Sequence, residues 1–414
     1  DLLATDTLLL YISYAEQAKL LGYDWFFESK LYKPLPKLSQ TNLIAVAVAV
    51  DHQQLSELIE VYTPDSDDYQ KLIDSYLHVV KFEELNLPKY TQRGLRQVGD
   101  KLKNREVLLV RMEMVDVDLS DVRRDVNWYD ATLETAVKQF QRLHGLTDDG
   151  IIGPDTIRWL NISPSERLSI LALNAERGRL WPIERDTIIV VNVPGFEMKY
   201  WYSGQEVFES KVVVGRKGRP TPMMTTKLDS LILNPTWNVP WKIMVEDIIP
   251  KVKEDPEYLV RQNITIVPKW GSKELINPED IDWQNMRPSA FPYRMTQLSG
   301  NNNALGLYKF NTPNRRAIYL HDTPSKNLFD EASRAFSSGC IRVEHADQFA
   351  TRLLESQGLD MSTLDEEELA ANKSIPLKQR VPVHIIYQTA WSEGGKIHYR
   401  DDIYRWDRFS YGKG

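Results

Sequence analysis

Hydrophobic positions divide this chain into two regimes. Up to about residue 186 they recur every three or four places, and beyond it they gather in short runs. Leu8, Tyr11, Ile12 and Ala15 keep the helical spacing, as do Leu55, Leu58, Ile59 and Tyr62, which predicts a helical scaffold domain over residues 1–88. Pro34-Leu35-Pro36 and Thr63-Pro64-Asp65 interrupt that run. Within residues 89–162, Leu133, Ala136, Val137, Phe140 and Leu143 form one apolar stripe ended by Gly145. A second short helix opens at Gly153-Pro154 and is lined by Ile157 and Leu160. The first helix of this segment is expected over Leu95–Asp100, followed by a polar connection over 101–130. Ser163-Pro164-Ser165-Glu166 has the form of a capping box and predicts a connector helix within 163–186.

From residue 187 the period becomes that of strands. Ile188–Val193 is a β-branched run stopped by Pro194-Gly195, and Met198–Tyr202, Val207–Ser210, Lys211–Val214, Leu231–Leu233, Ala317–Leu320 and Val383–Tyr387 continue the pattern. Many short strands punctuated by Gly and Pro predict a β-rich, sandwich-like or barrel-like domain over 187–391. Residues 245–300 break it with a helical stretch bearing Trp270, Trp283, Pro288 and Pro292, which is expected to be a lid or capping insertion. Residues 392–414 read as a polar C-terminal tail holding His398. The fold class is therefore multidomain α+β.

Composition narrows the function. At 414 residues the chain has room for several cores, and a net charge of −7 excludes a nucleic-acid binder that must neutralise phosphates. The longest apolar run, Leu43–Val50, is far too short to span a bilayer. Asp1 is not a natural start, so an export signal or N-terminal anchor is expected to precede it. There is one cysteine, Cys340, in Ser337-Ser338-Gly339-Cys340-Ile341-Arg342-Val343. A single thiol has no intramolecular disulfide partner and cannot build a multi-cysteine zinc site. It is either a small packing residue or a nucleophile. A nucleophile needs a base, and His321, His345, His384 and His398 are the candidates. His321 ends the run Ala317–Leu320 and so stands at a strand end. His345 reads as a helix-terminus residue, and His384 lies inside a strand.

Taken together, these motifs resemble a known family. Ile318-Tyr319-Leu320-His321-Asp322-Thr323 followed by Ser337-Ser338-Gly339-Cys340-Ile341-Arg342-Val343 resembles the L,D-transpeptidases of the YkuD type. Asn234–Pro240, Leu305–Phe310, Pro313-Asn314 and Pro382–Ile385 extend the likeness over roughly 187–391. Residues 131–161, with Ala136–Gln141, His144-Gly145-Leu146, Asp149-Gly150 and Gly153–Thr156, resemble a small helical peptidoglycan-binding module. The whole arrangement resembles the large periplasmic, YcbB-type members. The family often has His where Ser338 stands and Gly where Asp322 stands. Asp322 either offers the imidazole a carboxylate or points to solvent.

The resemblance implies a cysteine-dependent acyltransferase of cell-wall biogenesis and cell shape in the periplasm of a Gram-negative envelope. Cys340 would attack a stem tetrapeptide, release D-alanine and pass the acyl group to a second stem amine, giving 3→3 cross-links. Transfer to water, as in an L,D-carboxypeptidase or wall-editing hydrolase, and an inert wall-binding scaffold are the alternatives. His321 is the implied base, and backbone N–H groups around Gly339 and Cys340 the oxyanion donors. Arg342 suits a stem carboxylate, the active-site loop or a structural ion pair. Tyr319 shares a face with His321 if the strand is regular. Trp237, Tyr308, Asn311 and Ser338 complete the implied cleft. Peptidoglycan peptides and glycan, carbapenem-type inhibitors and other wall-synthesis enzymes are the implied partners, and no cofactor or metal is expected.

Overall fold

The computed structural model describes residues 2–27, 35–182, 184–364 and 370–407. Pro34 of the first predicted break and residues 408–414 of the predicted tail lie outside them. The chain forms two compact units, one of residues 1–184 with 388–414 and the other of 185–387.

The first unit is helical: α1 (Leu2–Phe27), α2 (Gln40–Asp51), α3 (Leu55–Tyr62), α4 (Asp67–Val80), α5 (Arg105–Glu113), α6 (Ala131–Leu143), α7 (Pro154–Leu160) and α8 (Pro164–Arg177). The stripe on α6 is buried as its spacing requires, and Asp130 caps the helix by accepting from the N–H groups of Thr132 and Leu133. Ser163 caps α8 by accepting from the Glu166 N–H. Three expectations need correction. Leu95–Asp100 is not a helix, because the Arg96 backbone pairs across to Ile152 and the Gln97 N–H is taken by the Asp100 carboxylate. The helix is α5 instead, inside the stretch read as a polar connection, where Leu108, Leu109 and Met112 are buried. Nor is α8 a mere connector, since Leu168, Leu171 and Ala175 belong to the unit's core. Finally, the expected tail begins with regular structure. After the second unit, β13 (Ala390–Glu393) and β14 (Lys396–Tyr399) form a hairpin whose Ala390, Ile397 and Tyr399 join the same core. The turn between them is Gly394-Gly395, both at positive φ.

The second unit carries β1 (Ile188–Asn192), β2 (Glu197–Tyr202), β3 (Gln205–Gly215), β4 (Met224–Leu233), β5 (Trp237–Asn238), β6 (Ile264–Val267), β7 (Arg294–Gln297), β8 (Tyr308–Asn311), β9 (Leu320–His321), β10 (Ala335–Ser337), β11 (Ile341–Val343) and β12 (Lys373–Ile386). Nine of them make one sheet in the order β10-β3-β11-β9-β8-β4-β12-β1-β2. The long β3 pairs with β2 through Gln205–Lys211 and with β11 through Val212 and Val213, so the sheet curls back on itself. Helix α12 (Ala346–Glu355) fills the concavity: the fully buried Phe349 ring lies 4.4 Å from Phe310 and 5.2 Å from Phe208, centroid to centroid. The unit ends at residue 387, four residues before the expected boundary.

The expected insertion is a folded body. Short helices α9 (Trp241–Ile243), α10 (Ile249–Glu254) and α11 (Tyr258–Arg261), with a π-turn over Met244–Ile248, pack beside a three-stranded sheet of order β5-β7-β6. Val239, Met244, Ile249, Val252, Trp283 and Met295 give it a core of its own.

Phe349→Ala should destabilise the second unit by about 3–5 kcal/mol. Urea unfolding followed by near-ultraviolet circular dichroism would read this as a lowered midpoint with an unchanged slope.

Candidate active site

Strand register assembles the site. On β8 and β9, Lys309 stands opposite His321, and on β9 and β11, Arg342 stands opposite His321. Cross-strand partners share a face, so Lys309, His321 and Arg342 form one row across three strands. Two places before His321 is Tyr319, and two before Arg342 is Cys340, both lying just outside the strands. The Ile341 N–H donates to the Tyr319 carbonyl at 3.1 Å and fixes this second pair side by side.

The turn that delivers Cys340 is held by hydroxyls. Ser337 Oγ accepts from the Gly339 N–H at 3.1 Å and donates to the Cys340 carbonyl at 2.5 Å. Thr221 Oγ1 donates to the Gly339 carbonyl at 2.9 Å and accepts from the Gly215 N–H at 2.8 Å. Gly339 has φ +119°, and a Cβ there would sit 3.3 Å from Ile318 Cδ1. The expectation that Gly339 supplies an oxyanion donor is therefore corrected, because its N–H is already spent on Ser337. The Cys340 N–H makes no hydrogen bond among the described residues. Ser338 Oγ accepts from Arg219 at 2.8 Å, and the buried Arg219 guanidinium also pairs with Glu246 and Asp247 of the insertion.

His321 is buried, and its Nδ1–H donates to the Asp322 carbonyl at 2.5 Å. That carbonyl can only accept, so Nδ1 carries the proton and Nε2 keeps the free lone pair. The partner of the imidazole is thus the backbone of Asp322. Its carboxylate is buried elsewhere, accepting from the Leu307 N–H at 3.0 Å and pairing with Lys326. Gly306 makes room for it, because a Cβ at this φ +60° position would overlap the Asp322 carboxylate. Burial, then the Arg342 charge and to a lesser degree Lys309, pull the His321 pKa down to about 3, against the opposing Asp322 hydrogen bond.

The half-buried Cys340 thiol donates to the Ala317 carbonyl at 3.6 Å. Burial pushes its pKa up, opposed by hydrogen bonds from the Tyr319 backbone and hydroxyl and by the charges of Lys309 and Arg342. Burial likewise pushes the Tyr319 phenol upward. The Arg342 Nε is buried without a hydrogen-bond partner among the described residues, and Arg342 makes no ion pair among them. The salt-bridge alternative for this residue has no support.

Other expected residues fall away. Tyr308 alternates with Lys309 on β8, so it faces the opposite side of the sheet, where burial and then the Asp347 charge of α12 raise its pKa. Asn311 shares the Lys309 face, yet its amide donates to Asp229 at 2.9 Å. His345 caps α12 in a left-handed conformation, His384 meets Thr225 at 3.2 Å, and His398 stacks on Trp391 in the other unit. Sequence reasoning passed over Lys309, Arg219 and Thr221. Lys309 alone left a trace, a charge flanked by Tyr308 and Phe310 in a strand. Among the described residues no cluster of His, Cys, Asp or Glu could hold a metal ion.

Residues 186–384 match the model of the YkuD family, described as "L,D-transpeptidase catalytic domain", and residues 117–160 match that of a "Putative peptidoglycan binding domain". A Haemophilus influenzae protein named "Putative L,D-transpeptidase" is 43% identical over 240 residues, which are 58% of this chain and 48% of that protein. The chain thus spans about half the length of this curated relative. Among solved structures, an L,D-transpeptidase from Stackebrandtia nassauensis is 12% identical with a TM-score of 0.25, covering 72% of this chain and 96% of that one. An L,D-transpeptidase from Mycobacterium smegmatis is 10% identical with a TM-score of 0.24, covering 49% and 58%. These structural likenesses are too slight to inform the site.

Two outcomes follow from this geometry. Because the folded His321 pKa lies below its unfolded value near 6.5, the unfolded chain binds the extra proton between the two. The contribution of His321 is therefore complete above about pH 6.5 and is lost as pH falls toward 3. Urea titrations should show roughly 2 kcal/mol less stability from this group at pH 5 than at pH 7, and His321→Gln should remove that share. Gly339→Ala forces a side chain into positive φ beside Ile318. The variant should remain folded by circular dichroism and label Cys340 at an altered rate with iodoacetamide.

Proposed function

We propose that this chain is a cysteine-dependent peptidoglycan L,D-transpeptidase acting in the periplasm, with Cys340 as nucleophile and His321 as its base, a reading supported by the match of residues 186–384 to the YkuD L,D-transpeptidase catalytic-domain model. The observation that carries the reading is the side-by-side pairing of β9 and β11. It sets the only thiol of the chain beside the strand of a buried, neutral imidazole whose Nε2 is free to accept.

The chemistry follows from those groups. His321 Nε2 takes the thiol proton, and the sulfur bonds to the carbonyl carbon that links the diamino acid of a stem tetrapeptide to its terminal D-alanine. The carbonyl oxygen becomes an oxyanion, met by the unspent Cys340 N–H; such a donor is worth about 2.7–4 kcal/mol in the barrier. The carbon–nitrogen bond then breaks as His321 returns its proton to the departing amine, leaving a thioester. An imidazole of low basicity parts with a proton readily, which suits this step. The side-chain amine of a second stem attacks the thioester and gives its proton to His321. The carbon–sulfur bond breaks, the thiolate is restored, and a 3→3 cross-link remains.

Arg342, with its buried and unpaired Nε, suits a carboxylate of the donor stem. Tyr319, two places before His321, brings a phenol hydroxyl to the same cleft. The insertion over 245–300 would cap the bound stem, and the module containing α6 and α7 would hold the enzyme on the wall. Capture of Cys340 by carbapenem-type inhibitors belongs to the same proposal, since a nucleophilic thiol that acylates on a stem peptide can acylate on a β-lactam carbonyl.

The test uses purified disaccharide tetrapeptides with products weighed by mass spectrometry. Dimers joined 3→3, lost in Cys340→Ala together with the carbapenem adduct, are the expected outcome. Tripeptides alone would mean that water is the acceptor. Unchanged substrate, or an adduct surviving in Cys340→Ala, would overturn the assignment.

A further inference from the structure

Lys309 is a charge of the site that no step above uses. Its ammonium lies 4.5 Å from the centroid of the Tyr319 ring, and the Ile341 N–H, next to Cys340, donates to the Tyr319 carbonyl, so the ring and the thiol belong to adjoining segments. On the opposite flank, Arg342 stands across from His321 just as Lys309 does. Two cations therefore bracket a neutral imidazole beside the only thiol.

Lys309 is also poorly compensated, Asp229 being the one nearby carboxylate that favours its charge. It is half-buried and forms no ion pair among the described residues. The nearby carboxylate on β4, Asp229, spends Oδ1 on the Asn311 amide at 2.9 Å and the Ser230 hydroxyl at 2.8 Å. Taking an ammonium out of water is costly, and burial lowers the Lys309 pKa accordingly. A charge held at that cost has a function when an opposite charge forms next to it. The groups facing Cys340 are Tyr319 and His321 from the β9 segment, Lys309 from β8 and Arg342 from β11. None is an anion while the thiol is protonated.

We propose that Lys309 is an electrostatic positioning residue for the nucleophile: mounted on the Tyr319 ring, it stabilises the Cys340 thiolate jointly with Arg342, so that His321 works as a neutral proton carrier rather than as a standing imidazolium. The proposal rests on the reading of Cys340 as the nucleophile. It separates two tasks usually given to one histidine. The fixed cations hold the negative sulfur, and the imidazole they disfavour as a cation is free to pass its proton to the leaving amine. Arg342 retains its unpaired Nε for a substrate carboxylate, while the ring-mounted ammonium stays with the sulfur.

The chain has one cysteine, so alkylation by iodoacetamide reports Cys340 alone and needs no turnover. The rate is measured against pH for the full chain and for Lys309→Met and Lys309→Arg. With the charge removed, the midpoint should rise by about one pH unit and the rate at pH 7 should fall roughly tenfold. Lys309→Arg should stay within about threefold of the parent across the profile. Lys309→Gln, equally uncharged, reads the same quantity if the methionine variant does not fold. A Lys309→Met or Lys309→Gln profile that overlays the parent would overturn the proposal, as would a Lys309→Arg profile displaced as far as the neutral variants. Failure of the nucleophile reading would register separately, as turnover surviving in Cys340→Ala while these profiles are unaffected.

Discussion

The site depends on the parallel register of two very short strands. β9 and β11 contribute only Ile341 opposite Leu320 and Arg342 opposite His321, yet these pairs put every reactive group in its place. Side chains alternate along a strand, so a slip of one residue would send Arg342 and Cys340 to the opposite face from His321. Two residues cannot hold such a register alone. The neighbouring strands do it: β3 pairs with β11 through Val212 and Val213, and β8 pairs with β9 through Lys309 and Phe310. Leu320, Ile341, Val343 and Phe310, all buried, close the apolar side of the same ladder.

The cysteine turn is tied to the rest of its unit by polar contacts rather than apolar ones. Ser337 and Thr221 together satisfy Gly339 and the Cys340 carbonyl, and the Cys340 N–H is left without a partner among the described residues. Arg219 connects that turn to the insertion, since one guanidinium touches Ser338 and also Glu246 and Asp247. A shift of the π-turn over Met244–Ile248 therefore reaches the loop beside the sulfur through Arg219, and also through Arg216, whose side chain meets Asp247 and whose N–H donates to the Ser337 carbonyl. The insertion has its own core, so it can move as a body without unfolding.

Helices with a long stripe and a cap were legible in the sequence, as α6 and α8 illustrate, because periodicity and caps are local. The hairpin β13–β14 was not read, although Glu393-Gly394-Gly395-Lys396 is a turn signal, because its strands are short and its apolar partners lie in distant helices. α5 was missed for a related reason: Arg105 and Arg111 look like solvent-facing charges but are buried, Arg105 paired with Asp130 and Arg111 bonded to the carbonyls of Leu87, Pro88 and Leu160. At the site, Cys340, His321, Arg342 and Tyr319 carried their own signal in motif and spacing. Tyr308 could not be separated from Lys309 without knowing which face of β8 is the reactive one. Which atom of Asp322 serves the imidazole is a matter of rotamer and backbone direction, and a sequence holds no record of either.

The hairpin after β12 has a consequence for how the chain comes off the ribosome. Asn174 at the end of α8 bonds to Thr389, a contact spanning 215 residues, and Ala390, Ile397 and Tyr399 belong to the core that α4, α6 and α8 build. The helical unit is thus split in sequence, with residues 185–387 inserted between its two parts. Its hydrophobic core cannot be complete until the hairpin over 390–399 has been made. During synthesis, helices made before the second unit wait for that unit to pass before their packing can close.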